Sequence, residues 1–216
     1  MCLSLRIKDT RRWPNLVFPF LLMVLVSGCS LGGKPSYLVN QYALEYPSPI
    51  LKELNSINEL IKVEQFSVAQ LFNTSAMIYS EGPNIRNVDP YNRWRTKPGE
   101  IATEYLVRDL RNSGLFRAVI SYNDSEDTRY LLEGQVDEFL EVSEKDGRKA
   151  VLSLNITFLD LKKRHTAEKV IFQRDYKVVE PYTGKTPAAL AQGMSRAMGK
   201  VSRQIILDLQ DAVKSR

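Results

Sequence analysis

Cysteine is nearly missing from this chain: its 216 residues hold two, Cys2 and Cys29, both near the start. From residue 30 onward there is no thiol, so no disulfide and no thiolate-ligated metal can form there. Histidine is scarcer still. His165 is the single imidazole, which excludes the multi-histidine metal sites of hydrolytic enzymes. A long apolar run is also lacking: the stretch from Leu16 to Val26 covers eleven residues, about half of what a membrane-spanning helix needs. Basic excess disappears once the chain is divided. The formal net charge is +5, but the first 28 residues carry four of the 30 Lys+Arg and one of the 25 Asp+Glu. The remainder has 26 against 24, and such balance offers no footprint for a nucleic-acid partner. No internal repeat and no low-complexity segment occurs.

What is present begins with an ordered set of parts at the N-terminus. Arg6, Lys8, Arg11 and Arg12 form a positive region, Leu16 to Val26 an apolar one, and Leu25-Val26-Ser27-Gly28-Cys29 has the form of a bacterial lipobox. The narrow Ser27 and Gly28 suit a peptidase that cuts before Cys29, which then carries the lipid. The competing readings are an ordinary signal peptide or membrane anchor with a chance cysteine, and twin-arginine export through Arg11-Arg12. The latter lacks the apolar pair that such signals carry after the arginines: Trp13-Pro14-Asn15 stands there instead. Val26, Ser27, Gly28 and Ser30 are the cleavage and sorting positions. In enterobacterial lipoproteins aspartate after the cysteine retains the protein in the inner membrane, so Ser30 reads as a pass to the outer membrane. The expected division is 1–28 signal peptide, 29–40 lipidated tether and 41–216 a single domain, large enough for a hydrophobic core.

Within that domain, Gln41 to Tyr46 reads as a first strand stopped by Pro47-Ser48-Pro49, Ile61 to Val68 as a second and Ala76 to Tyr79 as a third. Ser80 to Pro98 carries turn signals at Gly82-Pro83 and Asp89-Pro90 and is expected as a long loop or irregular strand. Pro98 opens a helix capped near Thr96 or Lys97 and ended by Ser113-Gly114, with Ile101, Ala102, Tyr105, Leu106 and Leu110 on one face. Leu115 to Ile120 follows as a strand. Three alternating strands come next: Tyr130, Leu132, Val136, Leu140 and Val142; then Ala150 to Phe158 after the turn Asp146-Gly147; then Val170 to Val178. Thr186-Pro187 opens a last helix with an apolar stripe from Leu190 to Val213. The expected fold class is α+β, one domain with a mostly antiparallel sheet and two helices packed on one face.

Catalytic patterns are wanting. His165 sits in the run Lys162-Lys163-Arg164-His165-Thr166 between two strands and reads as a solvated hairpin tip. Nucleophile elbows and phosphate-cradling glycine loops are absent. Glu133, Asp137 and Glu141 fall four apart and would share one strand face. A solvated face is the better reading, since oxygen-only cation sites need convergent loops. No metal and no cofactor is expected beyond the covalent lipid on Cys29. Trp94, flanked by Arg93 and Arg95, is a candidate partner or lipid-phosphate contact, against the plainer reading that Trp94 anchors its loop to the core.

The order of these features resembles a known family. The lipobox, a short tether, Tyr42-Ala43-Leu44, Ile78-Tyr79, Trp94 with Pro98 four residues on, Gly114-Leu115-Phe116 leading into Val119, Leu132-Glu133-Gly134-Gln135-Val136-Asp137-Glu138-Phe139 and the final helix are similar to the ABC-type transport auxiliary lipoproteins, of the paraquat-inducible C type. That resemblance implies a docking subunit without turnover, held at the periplasmic face of the outer membrane. Its implied partners are a periplasmic substrate-binding protein of the mammalian-cell-entry type and an ABC permease and ATPase, which together move lipids between membranes. Homo-oligomerisation stays open. Two other readings share the anchor or the domain size: a lipoprotein that assists outer-membrane assembly or activates a cell-wall synthase, and a hydrolase with an unrecognised site.

Overall fold

The apolar–polar rhythm of the chain becomes nine strands and two long helices in a computed structural model that describes residues 38–215, apart from 53 and 125. Cys29, with Val26, Ser27, Gly28 and Ser30, lies outside the described residues. The strands are β1 (Asn40–Tyr42), β2 (Ile57–Val63), β3 (Ser67–Val68), β4 (Ala76–Ser80), β5 (Asn87–Trp94), β6 (Phe116–Ser121), β7 (Tyr130–Glu144), β8 (Gly147–Asp160) and β9 (Val170–Tyr182). Helix α1 (Pro98–Ser113) stands between β5 and β6, a single-turn α2 (Thr166–Lys169) between β8 and β9, and α3 (Pro187–Lys214) at the end; a 3₁₀ turn, Gln70–Phe72, follows β3. No helix among the described residues is long and apolar enough to cross a membrane.

The sheet is mixed, which corrects the expectation of a mostly antiparallel one. β7 is its axis. One edge of β7 pairs antiparallel with β8, and β8 in turn with β9. The other edge is shared along its length by β2, β3 and β4, all parallel to it. β6 lies beyond β2, and β5 and β1 lie beyond β4. The antiparallel pairs β4–β5, β7–β8 and β8–β9 are the ones joined by short connections, which leave turn signals in the sequence. The parallel pairs join segments far apart in sequence, and parallel pairing needs a long crossover that marks no partner. Alternation therefore identifies strands and says nothing of these neighbours. The 80–98 stretch shows the same limit: it contains β5, paired on both sides despite its Pro90.

Both long helices cover one face. Lys97 is the N-cap of α1, Pro98 occupies its first turn and Gly114 ends it at φ 65°, a left-handed geometry that glycine adopts without a Cβ clash. Thr186 caps α3, its Oγ1 accepting from Ala189 N at 3.2 Å. At 28 residues α3 runs about 42 Å. Leu106 and Leu110 of α1 and Met194, Met198, Val201 and Ile205 of α3 are fully buried against Leu132, Leu152, Leu154, Ile156 and Phe158. Each such side chain contributes about 1.5–3 kcal/mol by leaving water. Close approach shapes one spot in particular: a Cβ on Gly134 would lie 2.6 Å from the Phe66 ring, so the ring rests on bare backbone.

A β-bulge in β7 overturns part of the expected strand face. Val136 faces Leu154 but Glu138 faces Ser153, leaving Asp137 as an extra residue. One extra residue inverts the period-2 pattern beyond it. Phe139 joins the helix-covered core, whereas Leu140, expected beside Leu132 and Val136, turns to the opposite face with Phe72, Ile78 and Val151.

Candidate functional site

Four carboxylates are buried among the described residues, and each is occupied by partners. Asp109 of α1 accepts from Tyr46 Oη at 2.7 Å and from Arg108 Nε and Nη2 at 2.9 and 2.8 Å. Glu141 accepts from Tyr182 Oη, from Arg148 Nη1 at 2.7 Å and from Ser143 Oγ at 2.9 Å. Asp160 accepts from Arg129 Nη2 at 3.3 Å and from the Lys162 amide at 3.1 Å. Glu180 takes Arg196 Nε at 2.8 Å and Lys200 Nζ at 2.5 Å. Burial and then the neighbouring carboxylate raise the phenols of Tyr46 and Tyr182 above their ordinary value. Burial pushes the Glu180 carboxyl upward, but Lys200 and Arg196 outweigh it and hold the group below the usual carboxylate range. Buried charges are stable only when so paired. Paired in this way, these four hold elements together: Asp109 ties the 43–50 segment to α1, and Glu180 ties β9 to α3.

The 43–50 segment is a strap that sequence reasoning missed. Its sequence reads as a strand end followed by a stop, yet β1 ends at Tyr42 and the chain beyond it crosses both long helices. Tyr105 Oη donates to the Leu44 carbonyl, and the Glu45 amide donates to Ser195 Oγ at 2.9 Å. Tyr46 stacks on Tyr105 with ring centroids 5.4 Å apart, and the Arg108 guanidinium stands 4.3 and 4.6 Å from the two rings. Asn112 Nδ2 donates to Ser48 Oγ at 2.7 Å, and Arg203 Nη1 to the Ile50 carbonyl at 3.3 Å. A Cβ on Gly199 would come within 3.1 Å of the Tyr46 ring. The sequence signal was there in part: an i, i+3 pair, Tyr105 and Arg108, on one helix face. Its partner in the strap has no local signature.

The sequence-predicted site residues scatter. Trp94 is 1% exposed and packs edge-on against Phe139, centroids 5.1 Å apart. This corrects its place among partner contacts: at the end of β5 its indole points into the core and anchors the strand. Arg93 and Arg95 on either side are exposed, as alternation requires. His165 is exposed in the β8–β9 connection, where it precedes α2. Glu133, Asp137 and Glu141 do not share a face: Glu133 is exposed, Asp137 is the bulge residue and Glu141 is buried beside Ala150. Among the described residues no group of His, Asp and Glu is placed to hold a metal ion. A depression of about 640 Å³ opens between β2 and the start of β7, lined in part by Glu59, Lys62, Glu64, Arg129 and Lys162. Its charged wall, with Arg129 Nη1 and Lys162 Nζ on Glu59 at 2.8 and 3.2 Å, does not suit an apolar ligand.

Comparison with known proteins supplies the remaining findings. Protein XCC0632 from Xanthomonas campestris superposes with a TM-score of 0.74 at 17% identity, covering 82% of this chain and 98% of that one. A second crystal structure, of an uncharacterized protein, gives 0.61 at 14% identity over 79% and 99%. The hypothetical protein CT253 from Chlamydia trachomatis gives 0.50 at 10% identity over 74% and 100%. These likenesses establish a shared fold. No protein of curated function matches the chain. The family described as ABC-type transport auxiliary lipoprotein component matches residues 42–206, from the last residue of β1 to well within α3, and this chain belongs to that family.

Proposed function

We propose that this protein is the docking subunit of an ABC-type system that moves lipids between membranes. Lipid on Cys29 holds it at the periplasmic face of the outer membrane, where it receives a substrate-binding protein of the mammalian-cell-entry type without turnover of its own. The family match over residues 42–206 carries this reading, because that family is described as an auxiliary component of ABC transport. The chemistry of the domain supports it. All four buried carboxylates already serve structural partners, and the one histidine stands exposed in a connection. Neither arrangement offers an acid–base pair held at a protected reaction centre.

Capture of the detergent-solubilised full chain with its companions tests the reading. A mammalian-cell-entry-type protein, or the permease and ATPase, is the expected companion; a cell-wall synthase in its place overturns it. Cys29→Ala should abolish labelling by a palmitate analogue and release the protein from membranes. Retained labelling sinks the anchor.

A further inference from the structure

Exposed apolar side chains are ordinary when scattered, but here they gather. Of the five most exposed large hydrophobic residues described, three gather at one corner: Leu71 and Val88 at 58% and Ile85 at 51%. Topology brings them together. Val88 on β5 is the register partner of Ile78 on β4, and Ile78 packs with Phe72, the residue after Leu71. Ile85 lies in the β4–β5 connection. The Arg86 guanidinium braces that turn by donating to Ser80 Oγ at 2.7 Å and to the Ile85 and Gly82 carbonyls at 2.9 and 3.2 Å. Asn40, the first residue of β1, has Asn92 on β5 as its register partner.

Two further observations give this corner an occupant. Cys29 precedes Asn40, the register partner of Asn92 on β5, by eleven residues, a contour of at most about 40 Å, so the tether to the lipid-bearing residue joins the domain beside β5. Charge is complementary as well. Arg93 near the end of β5 and Arg95 just past its end are exposed and enter none of the ion pairs among the described residues. Glu81 is the one acid in the turn. The Asp89 carboxylate is engaged by Tyr79 Oη at 3.0 Å, by Asn92 Nδ2 at 3.0 Å and by the Tyr91 and Asn92 amides at 2.8 Å.

We propose that this corner rests on the phospholipid surface, with Leu71, Ile85 and Val88 at the interface and Arg93 and Arg95 against lipid phosphates. Contact here orients the domain, turning the β9 edge and the exposed side of α3 away from the bilayer. The proposal rests on the reading of Cys29 as the lipid-bearing residue. Apolar side chains seated at the headgroup boundary and arginines drawn to anionic lipid act together in such contacts.

The test uses the full-length lipidated protein in vesicles of phosphatidylethanolamine and phosphatidylglycerol with brominated acyl chains. No thiol competes after residue 29, so Val88→Cys, Leu71→Cys and Val170→Cys each accept one fluorescent label. Val170 opens β9, three strands across the sheet from β4 and near the opposite end of β7. Labels at 88 and 71 should be quenched at least twofold, and the label at 170 left unchanged. Joint Arg93→Glu and Arg95→Glu substitution should reduce the quenching at 88. Flotation separates the two hypotheses. Protein that does not float refutes the anchor, and this contact with it. Protein that floats with equal quenching at 88 and 170, or with none at either, overturns the contact alone, as does protection of position 88 only when a partner protein is added.

Discussion

The two faces of the sheet share the same strands and are stabilised very differently. On one face α1, α3 and the strap cover a continuous core that draws on nearly every element of the domain. On the other, four buried residues, Phe72, Ile78, Leu140 and Val151, form a small cluster under one 3₁₀ turn. Beyond it the row runs out to Val88 on β5 and Val179 on β9, both exposed. The covered face is where folding free energy resides, since stabilisation follows apolar area removed from water. A chain that needs only one covered face for stability has the other available for contact.

Core truncation tests that contrast with the largest expected effect. Leu110→Ala or Ile205→Ala on the helix-covered face should cost about 3–5 kcal/mol, and Leu140→Ala on the open face about 2–3, because a surface turn relaxes into the space more easily than two packed helices. Urea denaturation with a common slope measures both, and equal costs would break the comparison. Next in size is Gly134→Ala, where the new methyl meets the Phe66 ring. We expect a loss of about 1–3 kcal/mol, largely recovered in the double variant with Phe66→Leu. A failure of the second change to rescue the first would show that the strand backbone, and not the ring, sets the limit.

Acid should reveal the smallest effect. Glu180, Asp160, Asp89 and Glu59 all have carboxyls held below their ordinary range in the folded protein. For the first three burial opposes the shift, and hydrogen bonds and ion pairs prevail; for Glu59 the bonds from Arg129 and Lys162 come first. A folded-state value below the unfolded one means that stability is present above the unfolded carboxyl range, near pH 4, and is lost as pH falls through the folded value. Thermal melts should therefore fall between pH 5 and pH 3. Glu180→Gln should lower the melting temperature at pH 7 and flatten its fall toward pH 3. An unchanged slope would mean that the link between β9 and α3 contributes nothing by charge.

Both long helices are legible in the sequence because their ends and their buried faces are encoded within a few residues of each other, whereas the single-turn α2 leaves no such signal. Pro98 and Gly114 bracket α1, Thr186-Pro187 opens α3, and the stripes at Leu106 and Leu110 and at Met194 to Leu209 face the core as their spacing requires. The meander β7–β9 was legible for the same reason. Trp94 was not: nothing in Arg93-Trp94-Arg95 says which way the strand turns, and the ring that receives the indole, Phe139, is far off in sequence. Glu141 shows the subtler failure. Its spacing from Glu133 and Asp137 suggested one solvated face, and a single bulge at Asp137 moved it into the core, where Arg148 and Tyr182 compensate it.

By itself the sequence determined the elements, their ends, the balanced charge, the absence of thiols after residue 29 and the family order of motifs. All of these follow from local sterics, periodicity and composition. Only the tertiary structure decided the mixed sheet around β7, the strap that ties residues 43–50 to both long helices, the side on which Leu140 and Glu141 lie, and the gathering of Leu71, Ile85 and Val88 at one corner. The physical reason is common to all four. Each depends on which distant segments come into contact, and contact between distant segments is settled by the packing free energy of the whole domain, which no short window of sequence contains.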